Sequence, residues 1–532
     1  MFTQAVVCWK FQQKMGVGDL VKVGAKNQKS SGKQERVINY DRISELPDPV
    51  LHHILSFLPT KIAVSTSMLS RRWRYLWTYV DKLNFEDDLF YSIQMNEDLM
   101  FKFMDFVDNV LVVHNLLNIE KLRLLGGDCD AFRIDSWIRA AIKREIKELD
   151  IFICPRVPFE FPSCLFNCEL LTVLKLNLAC SDLKLPTSIC LPSLKTMRLD
   201  SVIFADENLT HNFFFNCPTL ENLIMKKCGL RDVKVLHISA PRLKFLTVDC
   251  GGGNQHSLSH CIIKVSTRDL VSLRYCDGVA IGYSLENAHS MVDACIRLCP
   301  TRHELRVFWN TDGYSAINLL KGVSHAKVLK LSGRNSNTIE ILSPLHDLLD
   351  HLPTFYNLRS LKLTAGCCPR HLSVITCLLQ SAPNLEYLKV KIDEDKSKGQ
   401  KCWEPEKLGI NCLCDHLKVV ELKGFGGREN ELELLKFLLE NAKSLEKIML
   451  VASVELSDDS WKQGEAKQKL LRFPRASDHC VIELKTLMRE LDYSKLPICQ
   501  YGLYGLHQNF LLMPLRRKPF LYDLDEWRPL PR

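Results

Sequence analysis

The chain has 532 residues, 46% hydrophobic content and a net charge of +8, from 70 Lys+Arg against 62 Asp+Glu; that length exceeds what one hydrophobic core organises, so several domains or a repeat array are expected. The basic excess is uneven, because residues 1–40 hold Lys10, Lys14, Lys22, Lys26, Lys29, Lys33 and Arg36 against Asp19 and Glu35, and the nearly balanced remainder argues against a whole-surface affinity for nucleic acid. Twenty-two cysteines occur without one Cys-x-x-Cys pair, so no metal is expected, and Cys164 with Cys168, Cys295 with Cys299 and Cys412 with Cys414 read as small apolar residues of a reducing compartment.

In chain order, the opening MFTQAVVCWKFQQK lacks the apolar run of a signal peptide, and no stretch approaches about 18 consecutive apolar residues, so a soluble chain of the cytoplasm or nucleus is expected, away from membranes. Residues 1–39 read as a flexible basic tail, in which KNQKSSGKQER is either a solvated arm or a nuclear-import patch. From Asp41 the texture changes. In DRISELPDPVLHHILSFLPT, Asp48 is placed to cap a helix with Pro49 at its first position, and Val50, Leu51, Ile54, Leu55 and Leu58 repeat at helical spacing until Pro59. Thr60 is placed to cap a second helix, TKIAVSTSML. A third is expected from Leu69 or Ser70, with Leu69, Trp73, Leu76 and Trp77 on one buried stripe and Arg71, Arg72 and Arg74 around it. Three helices within about forty residues make too small a core to stand alone, so a partner surface is expected to complete it.

The ordered set Asp41-Arg-Ile-Ser, Leu46-Pro-Asp, Ile54-Leu-Ser-Phe-Leu-Pro, Lys61, Ala63-Val, Thr66-Ser, Leu69-Ser-Arg-Arg-Trp-Arg and Leu76-Trp77 resembles the plant-type F-box. It departs at Pro49 and Ile62, both more usually acidic. The resemblance places an F-box at residues 40–86. It implies docking on the Skp-type adaptor of a cullin-based ubiquitin ligase, with Leu46, Pro47, Leu51, Ile54, Leu55, Leu58, Leu69, Trp73 and Trp77 forming either that interface or its supporting core.

Residues 87–118 read as a helical linker through Met100, Phe103, Met104, Phe106, Val107 and Val110. Then a phrase L-x-x-L-x-L recurs thirteen times from Ile119 to Leu445, at steps of 23 to 32 residues. This is the spacing of leucine-rich repeats, one strand and one returning segment per unit, with stacked units burying a ladder of leucines. The poorest phrases begin at Arg302 and Ala326. The fold class expected is therefore α/β: a small all-helical F-box, then a leucine-rich-repeat solenoid with a curved parallel sheet, its repeats filling 119–410. In 411–485 the run CDHLKVVELKGFGGRENELELLKFLLENAKSLEKIMLVAS resembles the FBD region of plant F-box proteins and continues the repeat, with Gly424, Gly426 and Gly427 suited to a tight turn. Residues 486–532 are a C-terminal tail without a recognisable motif.

Strand alternation places the fifth residue of each phrase outward on the concave face. Eight of these thirteen are cationic, and like charges opposite one another on a sheet repel. The run Arg274, Arg306, Lys330, Lys362, Lys389 is thus either a seat for an acidic target segment or a solubilising row. No hydrolase, metalloprotease, kinase or phosphate-loop motif is present, and CGGGNQHS (250–257) lacks the Gly-Lys-Ser/Thr ending; no cysteine stands in an evident helix-start setting. The expectation is a non-enzymatic substrate receptor without a cofactor, catalysis coming from proximity of the target to its partners. The alternative is a repeat scaffold or ligand sensor that delivers nothing for degradation.

Overall fold

The computed structural model describes residues 43, 45–86, 97–115, 118–127, 129–154, 159–250, 258–286, 288–299, 309–333, 337–345, 348–393, 403 and 415–486. The tails, the Gly-rich loop 251–257 and Arg306 lie outside the described residues.

The first helix is Asp48–Leu55, but its cap is Pro47, and Asp48 makes no capping bond. The Asp48 carboxylate is engaged elsewhere: Arg72 Nη2 lies 2.6 Å from it and Nε donates at 3.1 Å, while the same guanidinium reaches the Leu46 carbonyl. The helix stops at Leu55, four residues before Pro59, because Leu58 precedes a proline and is steered away from helical angles. The second helix, Thr60–Ser65, is capped by Pro59. Thr60 sits inside it, and its hydroxyl accepts the Asn84 N–H at 2.7 Å.

The expected third helix is corrected. After a short 3-10 turn, Thr66–Met68, the chain bends and then forms a 3-10 helix over Trp73–Tyr79. Three residues per turn stack Trp73 on Leu76, with Trp77 beside them. All three are buried, whereas Leu69 lies before the bend and is 69% exposed.

A second correction concerns what completes this small core. Leu51, Leu55, Trp73 and Trp77 share one continuous hydrophobic cluster with Leu83 and Phe85 of a strand, Lys82–Glu86, and with Phe106 of the helix Glu97–Val113. The chain's own sheet therefore supplies part of the surface expected from a partner.

Lys82–Glu86 is the first strand of a sixteen-stranded parallel sheet that ends at Val481–Lys485. Its neighbours pair so that the fifth residue of each repeat phrase faces the fifth of the next: Arg123 with Asp150, Lys175 with Arg198, Lys330 with Lys362, Glu421 with Met449. In most of its strands burial alternates from the start, as in Lys121–Leu125, where Leu122 and Leu124 are buried and Lys121, Arg123 and Leu125 are half-exposed. Helices such as Ala131–Ile142 bury Ile134, Trp137, Ile138 and Ala141 in the same cluster, leaving the other face of the sheet open.

The repeat expected at Arg302 is corrected as well. The strand between those of Arg274 and Lys330 is Asp293–Cys299, so Cys295 takes the row position expected of Arg306. Its phrase starts at Met291, and the buried Met291 and Ala294 stand where leucines are usual. A further three-stranded parallel sheet, Val235–Ser239, Ile262–Ser266 and Gly282–Glu286, comes from the returning segments of the central repeats.

In the FBD-like region the strand Val419–Phe425 leads through a tight turn to the helix Glu429–Asn441 and the strand Lys447–Ala452. Gly424 has φ +81°, and a Cβ there would lie 2.9 Å from the Ile392 carbonyl oxygen. Gly424→Ala is expected to destabilise the fold by about 2 kcal/mol through left-handed strain and that clash. Gly464→Ala, in the helix Ser460–Arg472 with nothing within 4 Å, is expected to stabilise by about 1 kcal/mol; thermal melts of the two variants must move in opposite directions.

The turn is closed by Glu431, fully buried, whose Oε2 accepts N–H donors from Gly426 at 2.7 Å and Arg428 at 3.3 Å while Oε1 has no partner. Burial pushes its carboxyl above the ordinary glutamate range, although those backbone donors favour the ionised form. The folded state then holds a proton to higher pH than the unfolded chain, so stability falls as pH rises from the unfolded pKa through the folded one. Melting temperature is expected to drop over that window in the parent chain and to stay flatter in Glu431→Gln; equal slopes would refute the assignment.

Candidate protein-interaction surfaces

The nine F-box residues named above divide by burial. Leu51, Leu55, Trp73 and Trp77 are in the core, and Leu46 and Leu58 pack partly against it. Pro47 is exposed, Ile54 is 41% exposed and Leu69 is 69% exposed. Further exposed apolar side chains lie outside those nine: Val50, Phe57 at 73% exposure, Ile62 and Met68. Val50 and Ile54 are one turn apart on the first helix, so they share a face directed away from Leu51 and Leu55. Phe57 follows on the turn, where the edge of His53 packs on it with ring centroids 4.9 Å apart. The Asp48–Arg72 pair, 55% and 37% exposed on its two side chains, is worth at most about 1 kcal/mol; its effect is to fix the third segment against the first helix.

The second surface is the open face of the sheet. Near its N-terminal end the cations are answered from within the chain. Lys82 meets Glu120 at 3.5 Å, Lys121 meets Glu148 at 3.1 Å, Arg123 lies between Glu86 at 3.0 Å and Asp150 at 3.5 Å, and Arg198 meets Asp200 at 3.4 Å. Lys121, Arg123, Asp150, Arg198 and Asp200, with Lys175 and Asn177, line an open cavity of ≈ 380 Å³. In the later strands Lys389 pairs with Glu421 at 3.4 Å. Among the described residues, neither Lys330 nor Lys362 has a carboxylate within ion-pair distance, and both are half-exposed.

One cysteine does occupy a helix start. Cys368 caps the helix Pro369–Gln380, three residues before His371. The imidazole is already committed, since Gly366 N–H donates to Nδ1 at 3.0 Å and Nε2 meets Glu340 at 2.5 Å. With both ring nitrogens occupied, this imidazole is a poor base for the thiol. The Cys-Pro-x-His spacing was the signal for this cluster. Other thiols, such as Cys217 and Cys261, are pushed up to about 12 by burial and are inert. Among the described residues no helix is long and apolar enough to cross a membrane.

The F-box domain family matches residues 43–85, and the family described as "At1g61320/AtMIF1, LRR domain" matches residues 110–490. F-box/LRR-repeat protein At3g59200 of Arabidopsis thaliana is 32% identical over 477 residues, covering 84% of this chain and 88% of its own. F-box/LRR-repeat protein At4g14096 is 30% identical over 462 residues, covering 84% and 94%. F-box/FBD/LRR-repeat protein At3g26920 is 32% identical over 467 residues, covering 86% and 98%; both are from the same plant. On its strand ladder, its tryptophan-bearing N-terminal segment and these matches, the chain belongs to the plant F-box/LRR-repeat protein family.

Proposed function

We propose that this chain is the substrate-recognition subunit of an SCF-type cullin ubiquitin ligase, a non-enzymatic receptor. The F-box docks the Skp-type adaptor, and the leucine-rich repeats bind a protein target for ubiquitination. The observation that supports this best is the set of apolar side chains left uncovered on the F-box after its core is complete: Val50, Ile54, Phe57, Ile62, Met68 and Leu69. Burying a large apolar side chain contributes roughly 1.5–3 kcal/mol, and a small domain gains nothing by displaying six of them unless a partner covers them. Under this reading Leu51, Leu55, Trp73 and Trp77 support the interface from beneath, while Ile54 and Leu69, with Phe57, contact the adaptor. Leu46, Pro47 and Leu58 form its margin.

The ligase supplies the chemistry, and the receptor contributes by holding a target near the ubiquitin-loaded enzyme, which raises the effective concentration of the reacting groups. No cofactor is required for that role.

Burial makes the test specific. Phe57→Asp and Ile54→Asp are expected to abolish co-purification with the adaptor and cullin while leaving the melting temperature nearly unchanged. Trp73→Ala is expected to lose both binding and stability. If the two surface variants retain the adaptor at parental yield, the receptor reading fails and a repeat scaffold or ligand sensor is left in its place.

A further inference from the structure

We infer that the open face of the sheet between the strands Ser272–Gly278 and Val419–Phe425 seats an acidic segment of the target protein, centred on Lys330 and Lys362. This rests on the receptor reading only in calling the bound protein a target.

Charge is distributed unevenly along that face. Its central row runs Arg274, Cys295, Lys330, Lys362, Lys389, each in register with the next. Two residues further along the strands stand Arg297, Lys391 and Lys423. The carboxylates at outward positions of these strands are Asp293 and Glu421, and both are engaged: Asp293 with the Ser272 hydroxyl, Glu421 with Lys389, Lys423 and the Tyr387 hydroxyl. Adjacent strands are about 4.8 Å apart, so Lys330 and Lys362 face each other at repelling distance without an internal counter-charge. A carboxylate laid over the two lysines would relieve the repulsion.

The chemistry favours an acidic peptide over a nucleic acid. Single-stranded nucleic acids are held by aromatic platforms on which bases stack. On these strands the outward aromatic among the described positions of the three rows is Tyr387, tied by its hydroxyl to Glu421. The floor around the lysines is small or short: Val328, Ser360 and Thr364. An extended chain fits against it without reorganisation. Asp293 and Glu421 at the margins would repel a continuous phosphate backbone, and a peptide with spaced carboxylates can avoid them.

The test titrates fluorescein-labelled decaglutamate into the full chain and follows anisotropy. Binding is expected at low ionic strength, weakening steeply with added salt, and reduced roughly tenfold or more by the double variant Lys330→Glu/Lys362→Glu. A control, Lys321→Glu/Lys467→Glu, makes the same charge change at exposed helix positions and is expected to leave the affinity within about twofold of the parent. Equal affinity for parent and double variant overturns the proposal. So does an equal loss in the control, which would make the effect one of net charge. A polyuridine oligonucleotide that outbinds decaglutamate and is lost in the same double variant overturns it in favour of a nucleic-acid face. Adaptor co-purification of the double variant is measured alongside: parental adaptor binding with decaglutamate lost supports both readings, and decaglutamate binding in a chain that ignores the adaptor sinks the receptor reading alone.

Discussion

Parallel pairing in constant register is the constraint on which the molecule depends. A strand of five residues with one apolar face cannot bury that face by itself, and a parallel neighbour arrives only after a returning segment has crossed back. When each phrase faces the next without a shift, as from Lys121–Glu148 through Leu361–Leu388, the inward leucines form one ladder and the outward residues form straight rows. A slip of a single residue would turn every leucine outward. Stability in such an array is a nearest-neighbour property, and its weak points are its ends.

The N-terminal end is closed by the F-box itself. Lys82–Glu86 adds the first strand, Asn84 N–H donates to Thr60, and the buried His114 donates from Nε2 to the Val80 carbonyl at 2.8 Å. Burial holds that imidazole below its usual range, which keeps it in the neutral form this bond uses. Asn115 N–H reaches the Thr78 carbonyl, and Phe85 packs edge-on against Phe106 with centroids 5.9 Å apart. The tryptophan-bearing segment thus has two duties: its inner side caps the sheet, and its outer side carries the uncovered Ile54, Phe57 and Leu69. Because hydrogen bonds and one apolar cluster join the segment to the sheet, the exposed F-box side chains and the open face of the sheet are held at a fixed offset, which is the property that positioning by proximity would require under the proposed role.

How much of this could be read from the residues depended on how local the determining interaction was. Leucine phrases announce themselves because burial demands the same residue at the same spacing in each unit. They failed at Met291 and Ala294, where a smaller or unbranched side chain fills the inward position and the pattern loses its letters while the strand persists. The glycine turn at 424–427 was legible because the positive φ at Gly424 and Gly427 restricts the residue type. Asp48 and Thr60 both look like helix caps in sequence; each is diverted by a residue 24 positions away, Arg72 and Asn84 respectively, and no local rule contains that partner. Leu69 fell off the expected stripe for a related reason: the stripe assumed 3.6 residues per turn, and the segment tightens to three after a bend. Which F-box residues are exposed and which are buried could not be separated without the sheet that covers one side.

The electrostatics of the open face follow from the same rows. Straight rows bring outward side chains of adjacent strands to about 4.8 Å of one another, so charge has to be arranged rather than merely distributed. In the early strands opposite charges alternate, as in Glu86, Arg123 and Asp150, and each contact is of the half-exposed kind that is worth about 0–1 kcal/mol. Folding stability of several kcal/mol set by the leucine ladder is therefore nearly indifferent to whether a given outward pair is matched or mismatched. That indifference has a consequence for the later strands. The fold gains little from placing Lys330 beside Lys362 and loses little by it, so the sign of this face is free to be set by what lies against it, whereas the identity of Leu329, Leu331, Leu361 and Leu363 beneath is not.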